Sequence, residues 1–151
     1  MHSKPPSHTD LIEEIEKEHS FLRVELNRLR EAMACRLCHG EDCAHCEPGA
    51  VRRCQQAVDT HFSTLLSYMH DHFMHEESAM PRHGHGISPA LRDTFRQHTE
   101  AHADMMAWAA KAVGAVDPCL QGQSMLNLIE DWLNKHIATY DDVLLAWLRQ
   151  H

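Results

Sequence analysis

The sequence predicts an all-α protein, an up-down-up-down antiparallel four-helix bundle. Three observations predict it. Pro- and Gly-containing stretches divide the 151 residues into four long segments, each with apolar residues at alternating steps of three and four. The connections between segments favour antiparallel neighbours. Few segments show the sustained alternation of a strand. Helices of about 25 residues would each be about 35–40 Å long. A chain of this length is expected to form one domain, with a core that needs no disulfide support.

The first helix is expected from near Asp10, after Pro5 and Pro6, because Asp10 and Glu13 have the spacing of a capping box. Ile12, Ile15, Leu22, Leu26, Leu29 and Met33 form its core stripe if position 19 is counted. It ends at "CRLCHGEDCAHCEPG", which reads as a loop. The second helix runs from about Val51 to Ala79 on the stripe Val58, Phe62, Leu65, Met69. Pro81, Gly84 and Gly86 break it. Ser88 caps the third helix, which has Pro89 in its first turn and runs to about Val116. "DPCLQGQ" is the next turn. The fourth helix runs from Ser124 to the C-terminus with Met125, Ile129, Trp132, Leu144 and Leu148 inside.

Lys and Arg number 14 against 22 Asp and Glu, a net charge of −8, which argues against nucleic-acid partners and a basic membrane-surface patch. There is no run of 18 apolar residues, so no membrane span is expected. "MHSKPPSHTDLIEEIEKEH" has no apolar core of a secretory signal, so the expected compartment is the cytoplasm. The 15 histidines and 6 cysteines turn attention to metals.

Histidines occupy stripe positions where leucine is usual. His19 keeps the rhythm between Ile15 and Leu22. The second stripe continues to His72 and Glu76, the third passes from Phe95 to His98 and His102, and the fourth reaches His136. A lone histidine on such a face is more often a satisfied core residue. Four helices doing so together would incur repeated desolvation costs, and Glu76 would be a buried charge in need of a partner. A cation relieves all of these at once. His72 and Glu76 are separated by four residues, as are His98 and His102, so each pair can converge on one point. His70 and His75 lie off the stripe, and Glu77 lies about 100° further round than Glu76. Five histidines with at least one carboxylate suit two carboxylate-bridged ions. Iron or manganese fits these donors better than calcium or magnesium, with zinc competing.

The ordered set resembles the hemerythrin family. The residues that carry the resemblance are "EKEH" ending at His19, "HFMHE" from His72 to Glu76, "HTEAH" from His98 to His102, and "HIATYD" from His136 to Asp141. The flanking text is similar too: Tyr68 before His72-Phe73, Glu76-Glu77 before Met80, and Trp132-Leu133 before His136-Ile137. The resemblance covers about residues 10–150 and implies a single hemerythrin-like domain over 1–151, with a Cys-rich insertion at 35–54. It implies two Fe ions with an oxo or hydroxo bridge. One iron would take His98, His102 and His136, the other His19 and His72, with Glu76 and Asp141 bridging. The two-histidine iron is then one ligand short, where O2 or another small diatomic or anion binds. Asp141 rests on the resemblance more than on periodicity. A separation of five puts it about 140° from His136 unless the helix widens locally, as in a π-turn. Asp142 is the competing residue. A ferritin-like di-iron enzyme is the nearest rival, but only Glu16 and His19 have its Glu-x-x-His spacing. Leu22, Phe73, Met105, Trp132 and Ile137 are candidates for a dry pocket over the open iron, or for plain core packing.

The cysteine loop departs from that family pattern. Cys35, Cys38, Cys43 and Cys46 form two CxxC knuckles four residues apart, the spacing of a structural zinc, and His39 or His45 could replace one thiolate. A thiol–disulfide switch is the competing reading, with free thiols or an iron–sulfur cluster behind it. Cys54 follows on the second helix, Cys119 reads as a lone thiol, and His83 and His85 as exposed loop residues. The resemblance thus implies an oxygen-binding protein rather than an enzyme, serving carriage, storage or sensing. The alternatives are an oxygen, nitric oxide or redox sensor, or a di-iron enzyme processing peroxide or nitric oxide at the same site.

Overall fold

The computed structural model describes residues 5–33, 46–81, 86–112 and 122–151. They form α1 (His8–Met33), α2 (Pro48–Ala79), α3 (Pro89–Ala112), α4 (Gly122–His136), a π-helical turn (Ile137–Asp141) and α5 (Asp142–Gln150). No strand occurs among the described residues, and the arrangement is that of an all-helical protein consistent with a four-helix bundle.

The helix starts follow local chemistry. A capping box opens α1, but Ser7 is its cap and Asp10 its third helical residue. The Ser7 hydroxyl accepts from Asp10 N–H at 3.2 Å and the Asp10 carboxylate accepts from Ser7 N–H at 2.8 Å. The predicted Asp10–Glu13 box is therefore displaced by one turn, because Ser7 already satisfies the first free N–H groups. α2 begins at Pro48, ahead of the expected Val51, since proline has no N–H to leave unpaired in a first turn. Ser88 caps α3 as expected, its Oγ accepting from Leu91 N–H at 3.1 Å. Gly86 just before it has φ 95°, a backbone state that favours glycine. The expected end of α3 near Val116 lies outside the described residues. The fourth predicted helix is one rod with a π-turn inside it. Within α4, Leu133 is buried where Trp132 was expected to be, and Trp132 packs half-buried beside it.

Two apolar clusters hold the helices together. One joins Leu22, Leu26 and Leu29 of α1 to Val58, Phe62, Leu65, Met69 and Phe73 of α2, Met105 of α3, and Leu126, Ile129 and Leu133 of α4. The other joins Ile15 of α1, Ala79 and Met80 at the end of α2, Phe95 near the start of α3, and Leu144, Leu145 and Leu148 of α5. On every rod buried polar residues lie where the two clusters meet: His19, His72 and Glu76, His98 and His102, and His136 and Asp141. The apolar layers on either side fix the depth of these polar groups and keep them from water. No described helix is long and apolar enough to cross a membrane.

Candidate metal centre

The polar layer is one cluster. All seven residues singled out from the sequence, His19, His72, Glu76, His98, His102, His136 and Asp141, are buried and meet there. Their donor atoms form two overlapping groups, one of Glu76, His98, His102, His136 and Asp141, the other of His19, His72, Glu76 and Asp141.

The two carboxylates belong to both groups because each divides its oxygens between them. Glu76 Oε1 lies 3.2 Å from His72 Nε2 and 3.8 Å from His19 Nε2. Its Oε2 lies 3.2 Å from His98 Nε2 and 3.1 Å from His102 Nε2. Asp141 Oδ2 lies 2.9 Å from His19 Nε2 and 3.8 Å from His72 Nε2. Its Oδ1 lies 3.0 Å from both His98 Nε2 and His136 Nε2. All five imidazoles thus present Nε2 to the same small volume, and His102 and His136 bring theirs within 2.9 Å of each other.

Asp141 reaches the centre because the helix widens at Ile137–Asp141, where Asp142 N–H bonds back to the Ile137 carbonyl. A regular helix would leave Asp141 about 140° from His136. Of the two competing aspartates, Asp141 is buried in the cluster and Asp142 is exposed.

A cation fits these donors. His72 Nε2, Glu76 Oε1 and Asp141 Oδ1 are buried and complete no hydrogen bond, although opposite partners lie 3.0–3.2 Å away. These polar atoms lie close together in the buried cluster without pairing, as the ligands of an ion would. Mixed imidazole and carboxylate donors suit a first-row transition metal.

The electrostatics agree. Burial pushes the carboxyl groups of Glu76 and Asp141 up, but the imidazoles bonded to them prevail and hold both well below the usual carboxylate range. Burial pushes His72 down, yet the carboxylates of Asp141, Glu18 and Glu76 around it raise it to about 11. His19 and His98 are raised in the same way against burial, whereas burial prevails at His136 and lowers it. Two buried carboxylates demand positive charge, which imidazolium protons supply in the metal-free protein.

Aromatic side chains pack against the imidazoles of the layer. Phe73 stacks on His102 with ring centroids 3.9 Å apart, and Trp132 stacks on His136 at 4.4 Å. Tyr140, inside the π-turn, lies flat against His98 at 5.2 Å. The five pocket candidates all belong to one apolar cluster: Leu22, Phe73 and Met105 inside it, Trp132 and Ile137 against its edge.

Sequence reasoning missed two carboxylates. Glu18 accepts from His72 Nδ1–H at 2.9 Å, and Glu77, about 100° round the helix from Glu76, accepts from His102 Nδ1–H at 2.9 Å. Each is a direct sequence neighbour of a cluster residue, Glu18 of His19 and Glu77 of Glu76. That adjacency was the available signal. His75 is exposed as expected and also bonds Glu18.

Most of the cysteine loop, Cys35, Cys38 and Cys43 with His39 and His45, lies outside the described residues, as do His83, His85 and Cys119. Cys46 is described and is disulfide-bonded, so in this state its sulfur is not a thiolate ligand.

A family model of the hemerythrin HHE cation-binding domain matches residues 10–148. No curated protein and no solved structure gives a significant match.

Proposed function

Since this chain belongs to the hemerythrin HHE cation-binding family, we propose that its buried cluster holds two iron ions and that the protein binds O2 reversibly. The observation that carries this reading is the division of oxygens by Glu76 and Asp141, one toward each group of imidazoles. A carboxylate shared between two ions would divide its oxygens in this way. His98, His102 and His136 would hold one iron, and His19 and His72 the other, with both carboxylates between. The iron pair, when bound, would supply the electrons and the open coordination position that capture of a diatomic needs. The chain's own part is to hold the imidazoles Nε2-inward and to exclude water with the apolar layers around Phe73, Leu22 and Met105. The up-down-up-down antiparallel order belongs to this reading. It is supported by Ile15, early in α1, meeting the end of α2, the start of α3 and the end of α5.

A second reading is favoured by the Cys46 disulfide. In it the same site senses oxygen, nitric oxide or redox state, and the cysteine loop changes between a thiol form and a disulfide. Disulfides in the cytoplasm, the compartment expected from the sequence, are mostly of this transient kind. Reduced, Cys35, Cys38, Cys43 and Cys46 would be free to hold a structural zinc.

Anaerobic reconstitution with ferrous iron, followed by elemental analysis, tests the metal assignment. Two irons per chain are expected, with zinc in addition only in reduced protein. On adding O2, a visible charge-transfer band that vanishes under vacuum is the expected result. Rapid irreversible oxidation with release of peroxide overturns reversible binding and leaves sensing or enzymatic turnover at the same site.

A further inference from the structure

We propose that Glu18 and Glu77 are positioning residues, each setting the imidazole of one half of the metal centre, so that the two halves are tuned separately. The proposal rests on the two-metal reading above. His72 and His102 turn Nε2 toward the centre and Nδ1 outward. At 2.9 Å from His72 Nδ1 stands Glu18 Oε2, and at 2.9 Å from His102 Nδ1 stands Glu77 Oε1. An imidazole whose Nδ1–H is held by a carboxylate keeps the tautomer with Nε2 free to ligate. It also becomes a stronger electron donor.

The arrangement is crosswise. Glu18 lies on α1 beside His19 but serves α2, and Glu77 lies on α2 beside Glu76 but serves α3. Adjacent residues on a helix differ by about 100° in direction. One residue can therefore point into the centre while the next braces the ligand of the neighbouring helix. Each pair falls in a different donor group: His72 in the smaller one, His102 in the larger. The brace is selective, because His98 Nδ1 and His136 Nδ1 have no hydrogen-bond partner and are held instead by the flat faces of Tyr140 and Trp132. The two braces also differ in exposure. The Glu18 side chain is 14% exposed and shared with His75, whereas Glu77 is 32% exposed.

The test titrates cobalt(II) into metal-free wild type, E18Q, E18A, E77Q and E77A under a competing chelator. It follows affinity, metal per chain and the cobalt visible bands, with circular dichroism as a check of fold. E18A is expected to weaken one of the two cobalt sites by about 10–100-fold and shift its bands while sparing the other. E77A is expected to do the same to the other site. The Gln variants, whose amide oxygen still accepts from Nδ1–H, are expected to recover part of the loss. Wild-type affinities and bands in both Ala variants overturn the proposal. So does an equal loss at both sites without recovery by Gln, which is what general destabilisation would produce. A wild type that binds a single cobalt overturns the two-metal reading instead. The braces are then judged on that one site by the same affinity, band and Gln-recovery criteria.

Discussion

His19 Nε2 and Asp141 Oδ2 stand 2.9 Å apart although 122 residues separate them in the chain. The contact joins the first rod to the π-turn in the last and closes the ring of buried donor groups. It predicts unequal roles for two adjacent aspartates. Asp141→Asn is expected to weaken iron affinity by more than the loss of an outer brace, about 10–100-fold, and so to lower iron occupancy. Asp142→Asn, at an exposed position, is expected to leave occupancy unchanged. Iron per chain after reconstitution and desalting decides it.

The metal-free protein should lose stability toward alkaline pH. His72 is raised from 6.5 to about 11, so its contribution is full below pH 6.5 and drains away as pH climbs toward 11. His19 and His98, also raised, act in the same direction, while His136, lowered, opposes them by gaining stability as pH rises to 6.5. Glu76 and Asp141 are depressed, so their contribution is full above their ordinary values of 4.5 and 3.8 and fades only in more acid solution. Urea midpoints of metal-free protein should therefore fall from pH 6 to pH 9. Loading metal should flatten that alkaline decline, because ions then take the place of the protons.

Phe73 is almost fully buried and lies against His102, Trp132 and His136. Truncation to alanine leaves a cavity beside the ligands and is expected to cost about 3–5 kcal/mol in urea unfolding. Phe73→Leu should cost less. In both variants the oxygenated protein, if formed, should decay faster than wild type as water reaches the centre.

Trp132 should report metal loading. Its ring lies 4.4 Å from that of His136 at an interplanar angle of 17°. Titrating ferrous iron into metal-free protein is expected to quench tryptophan fluorescence, and Trp132→Phe to remove most of that quench. A full quench in the variant would show that Trp108 or Trp147 carries the signal.

Much of this molecule can be read along the chain because a helix is a local structure. The spacing of Ile15, His19 and Leu22, or of Phe95, His98 and His102, states which side chains share a face, and burial follows that spacing. Caps were less legible. Ser7 and Asp10 satisfy each other in a way that Asp10 and Glu13 could have imitated, since several polar residues near a helix start compete for the same N–H groups.

Sequence alone determined the four helical segments, the histidine on each inward stripe, and the pairing of His72 with Glu76 and of His98 with His102. Tertiary structure decided the rest. Whether Asp141 or Asp142 turns inward depends on one widened turn, held between apolar layers that bury Leu133 before it and Leu144 after it. Which carboxylate braces which imidazole depends on how α1, α2 and α3 are set against one another, so Glu18 meets His72 and Glu77 meets His102. Periodicity reports direction around one axis; the height and rotation of that axis against its neighbours are set by packing between residues far apart in the chain.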